Sequence, residues 1–159
     1  MRRVYDAHMH FWDHGSGNWP WLDSELAGGD QMIGPNVSLL ARDYLPEHYL
    51  ADVGSVDLRG NVHVQAFGFP DSPWKESEWV RENCCIKGID SHIVGFVDFS
   101  QADIRCDLEQ YRDIEGLVGY RNVLCYDSKY NLKMTPSFDV MLQPTWQKNI
   151  SMLAEQSLV

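Results

Sequence analysis

Nowhere in this chain does an uninterrupted apolar run approach the ~18 residues that a membrane helix requires, and Met1 to Asp6 holds two arginines but no apolar stretch of the leader type. A cytoplasmic setting is the expectation. Basic residues are scarce: 13 Lys and Arg against 23 Asp and Glu leave a formal net charge of −10. Such a surface repels phosphate backbones and anionic lipid, which argues against nucleic-acid and membrane partners. Cysteine is sparse too. Cys84, Cys85, Cys106 and Cys125 show no CxxC spacing and no regular framework, and the adjacent pair is poorly placed to bridge to itself, so reduced, mostly packing thiols are expected. Internal repeats, low-complexity tracts and a nucleophile elbow are missing. Gly15-Ser16-Gly17 and Gly28-Gly29 lack the strand and helix flanks of a phosphate loop or dinucleotide fingerprint.

What is present fits one globular domain over residues 1–159: 44% hydrophobic and 23% charged residues, with six Trp. The length supports a sizeable core but falls well short of the ~250 residues of a complete (β/α)8 barrel. Strand and helix patterns alternate along the chain. A first strand around Val4-Tyr5 is followed, from about 14 to 42, by a long Gly-, Asn-, Asp-, Pro- and Trp-rich segment without period, read as a loop that covers a site. Trp12, Trp19 and Trp21 would line a pocket there or simply pack locally. Pro46 then opens a short helix. Gly60 to Phe67 reads as the second strand, and Ser72-Pro73 as the N-cap and first residue of a helix running toward Cys85. The third strand is Ile93 to Phe99, with Ser100 and Asp103 predicted as a capping box and Ile104, Leu108 and Tyr111 at helical spacing. A fourth strand covers Leu117 to Leu124. A last helix starts near Pro144 with Trp146, Ile150, Leu153 and Ala154 as its stripe. This order predicts parallel βα units in an α/β fold, four of them.

The chemistry-bearing motif is Asp6-Ala7-His8-Met9-His10-Phe11-Trp12-Asp13. In an extended strand alternate side chains share a face, which would put Asp6, His8 and His10 together and two imidazoles within reach of one metal ion. His-x-His pairs also occur by chance, and catalytic zinc commonly takes three protein ligands, so the pair amounts to half a site.

That stretch, with Trp19-Pro20-Trp21-Leu22, Asp43-Tyr44-Leu45-Pro46, Val64-Gln65-Ala66, Val94-Gly95-Phe96-Val97-Asp98 and Val118-Gly119-Tyr120-Arg121, resembles the amidohydrolase-related family in its lactone hydrolase branch, in order and spacing over nearly the whole chain. The resemblance implies a partial (β/α)8 TIM barrel comprising about the first four βα units, and a hydrolase of lactones or similar cyclic esters of sugar acids or aromatic breakdown products. It implies that His8 and His10 serve a divalent metal, zinc first, or a metal-free substrate site, since some lactonases of the branch work without metal. Arg121 would bind an anionic or carbonyl-rich part of the substrate, because a guanidinium is a permanent charge with a planar fork of donors; outside the family context a surface ion pair is the competing reading. Asn122 departs from the His that often follows this Arg. The family's further histidine and its water-activating acid come from the second half of the barrel, so no catalytic base is assigned here.

Among the other candidates, Gln65 and Trp12 are placed as substrate-binding residues, Asp98 as a loop-fixing carboxylate or a partner orienting a histidine, and His63 as a hydrogen-bonded barrel histidine. His14, His48 and His92 sit in polar or turn contexts. The rival to a lactonase is a catalytically inactive half barrel that binds or self-associates, since four parallel strands leave two open edges, and two copies, as a homodimer, would supply eight strands.

Overall fold

Four short stretches carrying Val, Ile, Leu and aromatic residues form one parallel sheet in the order β1-β2-β3-β4: β1 is Arg3–Met9, β2 Asp57–Val64, β3 Asp90–Phe96 and β4 Leu117–Arg121. The computed structural model describes residues 2–23, 37–129 and 132–155. Helix α1 (Pro46–Val53) joins β1 to β2, α2 (Trp74–Asn83) joins β2 to β3, and α3 (Arg105–Gln110) joins β3 to β4. A two-stranded antiparallel pair, β5 (Tyr126–Asp127) and β6 (Leu132–Lys133), and a last helix, α4 (Pro144–Glu155), complete the order. Sequential neighbours in a parallel sheet with helical crossovers are the repeating unit of a (β/α)8 barrel, and this is a partial one.

The helices lie where their apolar stripes meet the sheet. Met9, Leu58 and Ile93 from three strands pack with Tyr49 of α1, Val80 of α2, Phe11 and Cys84 in one buried cluster. A second cluster gathers Val97, Phe99, Ile104, Leu108 and Tyr111, closed by Leu153 of α4 with Trp146 and Ile150. Each fully buried aliphatic or aromatic side chain contributes about 1.5–3 kcal/mol, so these clusters supply the main driving force. Asn149, fully buried on the same helix, donates to the carbonyls of Phe99 (3.0 Å) and Gln101 (2.7 Å) and fastens α4 to the loop after β3.

The parallel units, their order and the last helix agree with the sequence reading; the strand ends do not. β2 and β3 begin and end three residues before their predicted bounds, and β4 stops at Arg121. The apolar run outlasts the strand because Ala66, Val97 and Phe99 are buried as loop residues over the sheet's C-terminal edge. Capping differs as well. Asp98 Oδ1 accepts both the Ser100 N–H (2.9 Å) and its hydroxyl (2.6 Å), which removes Ser100 as a helix cap. The N-cap position falls on Ile104, and Asp103 just before it accepts the Arg105 N–H at 3.0 Å. Ser72 gives its carbonyl, not its hydroxyl, to the Lys75 N–H, and α2 starts after Pro73. His48 does carry a role: its Nδ1 accepts the Leu45 N–H at 3.1 Å at the start of α1.

The segment predicted as a loop from 14 to 42 contains three-residue turns at His14–Ser16 and Pro20–Leu22 and a four-residue one at Val37–Leu40; residues 24–36 lie outside the described ones. Its base is closed by paired backbone hydrogen bonds between Trp12 and Tyr44, at 3.1 and 3.0 Å. Only Cys84 is a packing thiol; Cys85, Cys106 and Cys125 are exposed, which corrects the expectation for most of the set. Among the described residues no helix is long and apolar enough to cross a membrane.

Candidate functional site

The C-terminal ends of parallel strands deliver their last side chains to one side, and here they converge: His10 follows β1, Gln65 follows β2 and Arg121 ends β4. A cavity of about 470 Å³ opens there, with His10, Trp12, Trp21, Phe67, Arg121 and Cys125 in its wall. Among the described residues no carboxylate lines it.

His10 Nδ1 lies 2.6 Å from the Val64 carbonyl, which can only accept, so this nitrogen carries the proton and Nε2 keeps a free lone pair. Burial above all pushes the His10 imidazole down to about 4, against the raising effect of the Val64 carbonyl and with smaller lowering effects of His63, His8 and Arg121. The ring is therefore neutral near pH 7, the form that ligates a metal or accepts a proton. His8 packs against it edge to face, with ring centroids 5.0 Å apart at 80°.

Asp6 does not join them. Its Oδ2 accepts the Tyr49 hydroxyl hydrogen bond at 3.1 Å and its Oδ1 the His8 N–H at 3.1 Å. The register between β1 and β2 shifts between Asp6 and Met9, and that irregularity breaks the strict alternation from which a shared face was expected. Among the described residues no group of three or more His, Cys, Asp or Glu could hold a metal ion. The two imidazoles fit two of the three protein ligands of a catalytic zinc site, with the His10 tautomer already set by its carbonyl partner.

Arg121 is held rather than paired. Its Nε donates to Gln65 Oε1 at 3.2 Å, and its guanidinium lies 4.6 Å over the Phe67 ring. Burial lowers it from its ordinary value, with Glu76 acting the other way. It makes no ion pair with a described carboxylate, so the competing surface-pair reading does not apply. Gln65, only 3% exposed, is a support beneath Arg121. Trp12 and Trp21 form an edge-to-face pair at 5.9 Å and are pinned through their indole N–H groups to the carbonyls of Arg42 (2.6 Å) and Ala66 (2.7 Å). Trp19 is instead a core residue against Phe69 and Trp79.

Asp98 fixes its own loop through Ser100, and Asn122 donates to the Val97 carbonyl at 2.9 Å, so both order the rim without facing the cavity. His63 is the hydrogen-bonded histidine expected, and its partner, Glu76, is the residue that the sequence reading missed. Glu76 is fully buried on α2 and accepts from His63 Nε2 (2.9 Å) and from the N–H groups of Ala66 (2.5 Å) and Gly68 (2.6 Å). Its spacing was the available signal: Glu76 stands one helical turn before the core residue Val80, on the face that packs against the sheet.

No family model matches the chain. Its sequence is similar to an uncharacterized protein, y4mH, of Sinorhizobium fredii, at 25% identity over 158 residues, 98% of this chain and 51% of that one. It is also 27% identical over 119 residues to an L-fucono-1,5-lactonase of Burkholderia multivorans, covering 75% of this chain and 35% of the lactonase. In shape it is similar to two crystal structures of a Burkholderia multivorans amidohydrolase. One, with bound HEPES, superposes with a TM-score of 0.64 at 20% identity, and the other, with bound zinc, with 0.67 at 21%. Each superposition covers 99% of this chain and 46% or 47% of the other, so the chain spans about half the length of these structures.

Proposed function

We propose, from the premise that this chain belongs with the amidohydrolase-related, lactonase-like proteins, that the cavity at the strand ends is the substrate-binding side of a hydrolase site for a lactone or similar cyclic ester of a sugar acid or aromatic breakdown product. The observation that carries the reading is Arg121: a half-buried guanidinium without a carboxylate partner among the described residues, aimed by Gln65 and Phe67, at the edge of a cavity that also holds His10. A half-buried cation that only the more distant Glu76 offsets gains from an opposite charge in contact, which a carboxylate or the developing oxyanion of an opening ester supplies.

In lactone hydrolysis water adds to the carbonyl carbon, the ring C–O bond breaks, the leaving oxygen takes a proton and a free carboxylate forms. Arg121 would hold the anionic group through its planar donors, while Trp12, Trp21 and Phe67 cover the apolar edges of the ring and exclude water. His10 would present Nε2 to the reacting group. Zinc, the metal in one of the similar amidohydrolases, would take His8 and His10 as two of its ligands and supply Lewis-acid polarisation of the carbonyl or of water. The water-activating carboxylate is a contribution that the family resemblance assigns to later strands. A second reading, binding without turnover, is favoured by the lack of a carboxylate in the described cavity wall. As to partners, the reading calls for the small-molecule ester.

The test is hydrolysis by the purified chain of a panel of sugar and aromatic lactones, with and without zinc, beside Arg121→Gln and the double variant His8→Ala/His10→Ala. Turnover that falls about 30-fold in kcat/KM for Arg121→Gln, equivalent to ~2 kcal/mol of a charge-assisted contact, supports the hydrolase reading. Saturable binding of the lactones without turnover selects the second reading. Neither turnover nor binding overturns both.

A further inference from the structure

The buried carboxylate of Glu76 stands in an unusual position for a residue that the proposed chemistry does not use. It is fully buried, and all three of its hydrogen-bond donors belong to β2 or to the loop that follows it. Two of them, the N–H groups of Ala66 and Gly68, flank Phe67 in the loop after β2. Phe67 has a φ of 58° and Phe69 one of 49°, left-handed values that a non-glycine residue holds only where its surroundings over-determine them. At Phe67 the carboxylate provides that determination, because the N–H groups on either side of this residue both point into it, while the Phe69 N–H is held by the Asn18 carbonyl at 2.7 Å. The result is the Phe67 ring lying against Arg121 at 4.6 Å.

The third contact runs the other way. Phe11 N–H donates to His63 Nδ1 at 3.1 Å, so that nitrogen is an acceptor and the proton sits on Nε2, which donates to Glu76. Phe11 directly follows His10, whose own Nδ1 is tied to the Val64 carbonyl. One carboxylate thus fixes, through His63, the chain that carries His10 and Trp12 and, directly, the loop that carries Ala66, to whose carbonyl Trp21 is bound at 2.7 Å. We propose that Glu76 is a positioning residue for the site at the strand ends, locking the β1 and β2 loops in one register through His63 on one side and the Ala66 and Gly68 amides on the other. The site role rests on the functional reading given above, whereas the lock is a property of the folded chain whether or not a substrate is known.

The experiment is amide hydrogen exchange by NMR on the full chain, compared among wild type, Glu76→Gln and His63→Gln, with a titration of benzoate as a probe carboxylate followed on the Trp12 and Trp21 indole N–H signals. The lock is expected to give Ala66 and Gly68 protection in the wild type that matches β3, although both lie in a loop. Glu76→Gln should speed exchange at Phe11, Ala66 and Gly68 by at least about tenfold while leaving Ile93 unchanged. His63→Gln, which keeps the carboxylate, should release Phe11 and leave Ala66 and Gly68 protected. A role confined to overall stability would accelerate all four amides together. That outcome, or unchanged exchange at Phe11 in His63→Gln, overturns the proposal, and the latter applies even if Glu76→Gln does not fold. The benzoate arm judges the site separately: indole shifts that saturate in wild type and weaken at least about tenfold in Glu76→Gln support the positioning role. Saturation equal in both overturns it as a role in binding. Where wild type shows no saturable shift, the functional reading of the cavity fails, and the exchange pattern still decides whether the lock exists.

Discussion

Substituting Gly68 by alanine tests how tightly the cavity floor is built. A Cβ there would stand 2.5 Å from Trp19 Cε2 and Nε1 and 2.9 Å from Glu76 Oε2, although the backbone is outside the left-handed region and would itself accept alanine. Trp19 cannot withdraw, since it is 2% exposed and wedged between Phe69 at 5.3 Å and Trp79 at 4.9 Å. Overpacking of this kind costs about 1–3 kcal/mol. Displacing the Glu76 oxygen from the Gly68 N–H, 2.6 Å away, forfeits a charge-assisted bond worth about 1.5–3 kcal/mol. The expected loss of about 3–5 kcal/mol is a large part of a typical domain's stability, and with a urea slope near 2 kcal/mol/M it lowers the midpoint by about 2 M. Gly17→Ala serves as the comparison: its Cβ meets nothing within 4 Å and its φ of 72° is the only obstacle, a strain of about 1 kcal/mol. Urea unfolding followed by tryptophan fluorescence reads both. The packing argument is wrong if Gly68→Ala shifts the midpoint no more than Gly17→Ala does.

Three further outcomes follow from the same contacts. Cys85, Cys106 and Cys125 should react with iodoacetamide in the native protein while Cys84 does not, because burial pushes its thiol up to about 12; mass spectrometry showing Cys84 labelled at pH 8 without unfolding would contradict its burial. In alkali, burial holds Cys84, Tyr44 and Tyr120 near about 12 and raises Tyr49 and Tyr111 further. Their unfolded values are about 8.5 for the thiol and about 10 for the phenols. Raised folded values mean that the stabilisation is complete below the unfolded ones and is lost as pH climbs through the folded ones. The urea midpoint should thus decline from pH 8.5 toward 12, and a flat profile would refute the assignment. Asn149→Ala leaves the carbonyls of Phe99 and Gln101 without their donor, and a loss of about 1–3 kcal/mol in chemical denaturation is expected; a change below ~0.5 kcal/mol would show that α4 is held by apolar contact alone.

The sequence by itself determined the order of the βα units, since short runs of β-branched and aromatic residues mark the strands and the helices between them show an apolar stripe at a period of 3.6. It also marked His8, His10 and Arg121 as residues of one end of the sheet, because strand ends are recognisable even when their exact residue is not. Only tertiary structure decided which of these act together. The bulge after Asp6 sends that carboxylate to Tyr49 while the two imidazoles stay together, and no periodicity in one strand reports the register of its neighbour. Gln65 looked like a substrate contact and is a prop for Arg121; Trp12, Trp19 and Trp21 pack together, yet only Trp12 and Trp21 reach the cavity wall. Glu76 left one trace, its place a helical turn before Val80, and nothing in the sequence names its partners. A buried carboxylate is stabilised by donors that the fold collects from residues 8 to 13 positions away along the chain, and such convergence is set by three-dimensional packing, for which local sequence carries no code.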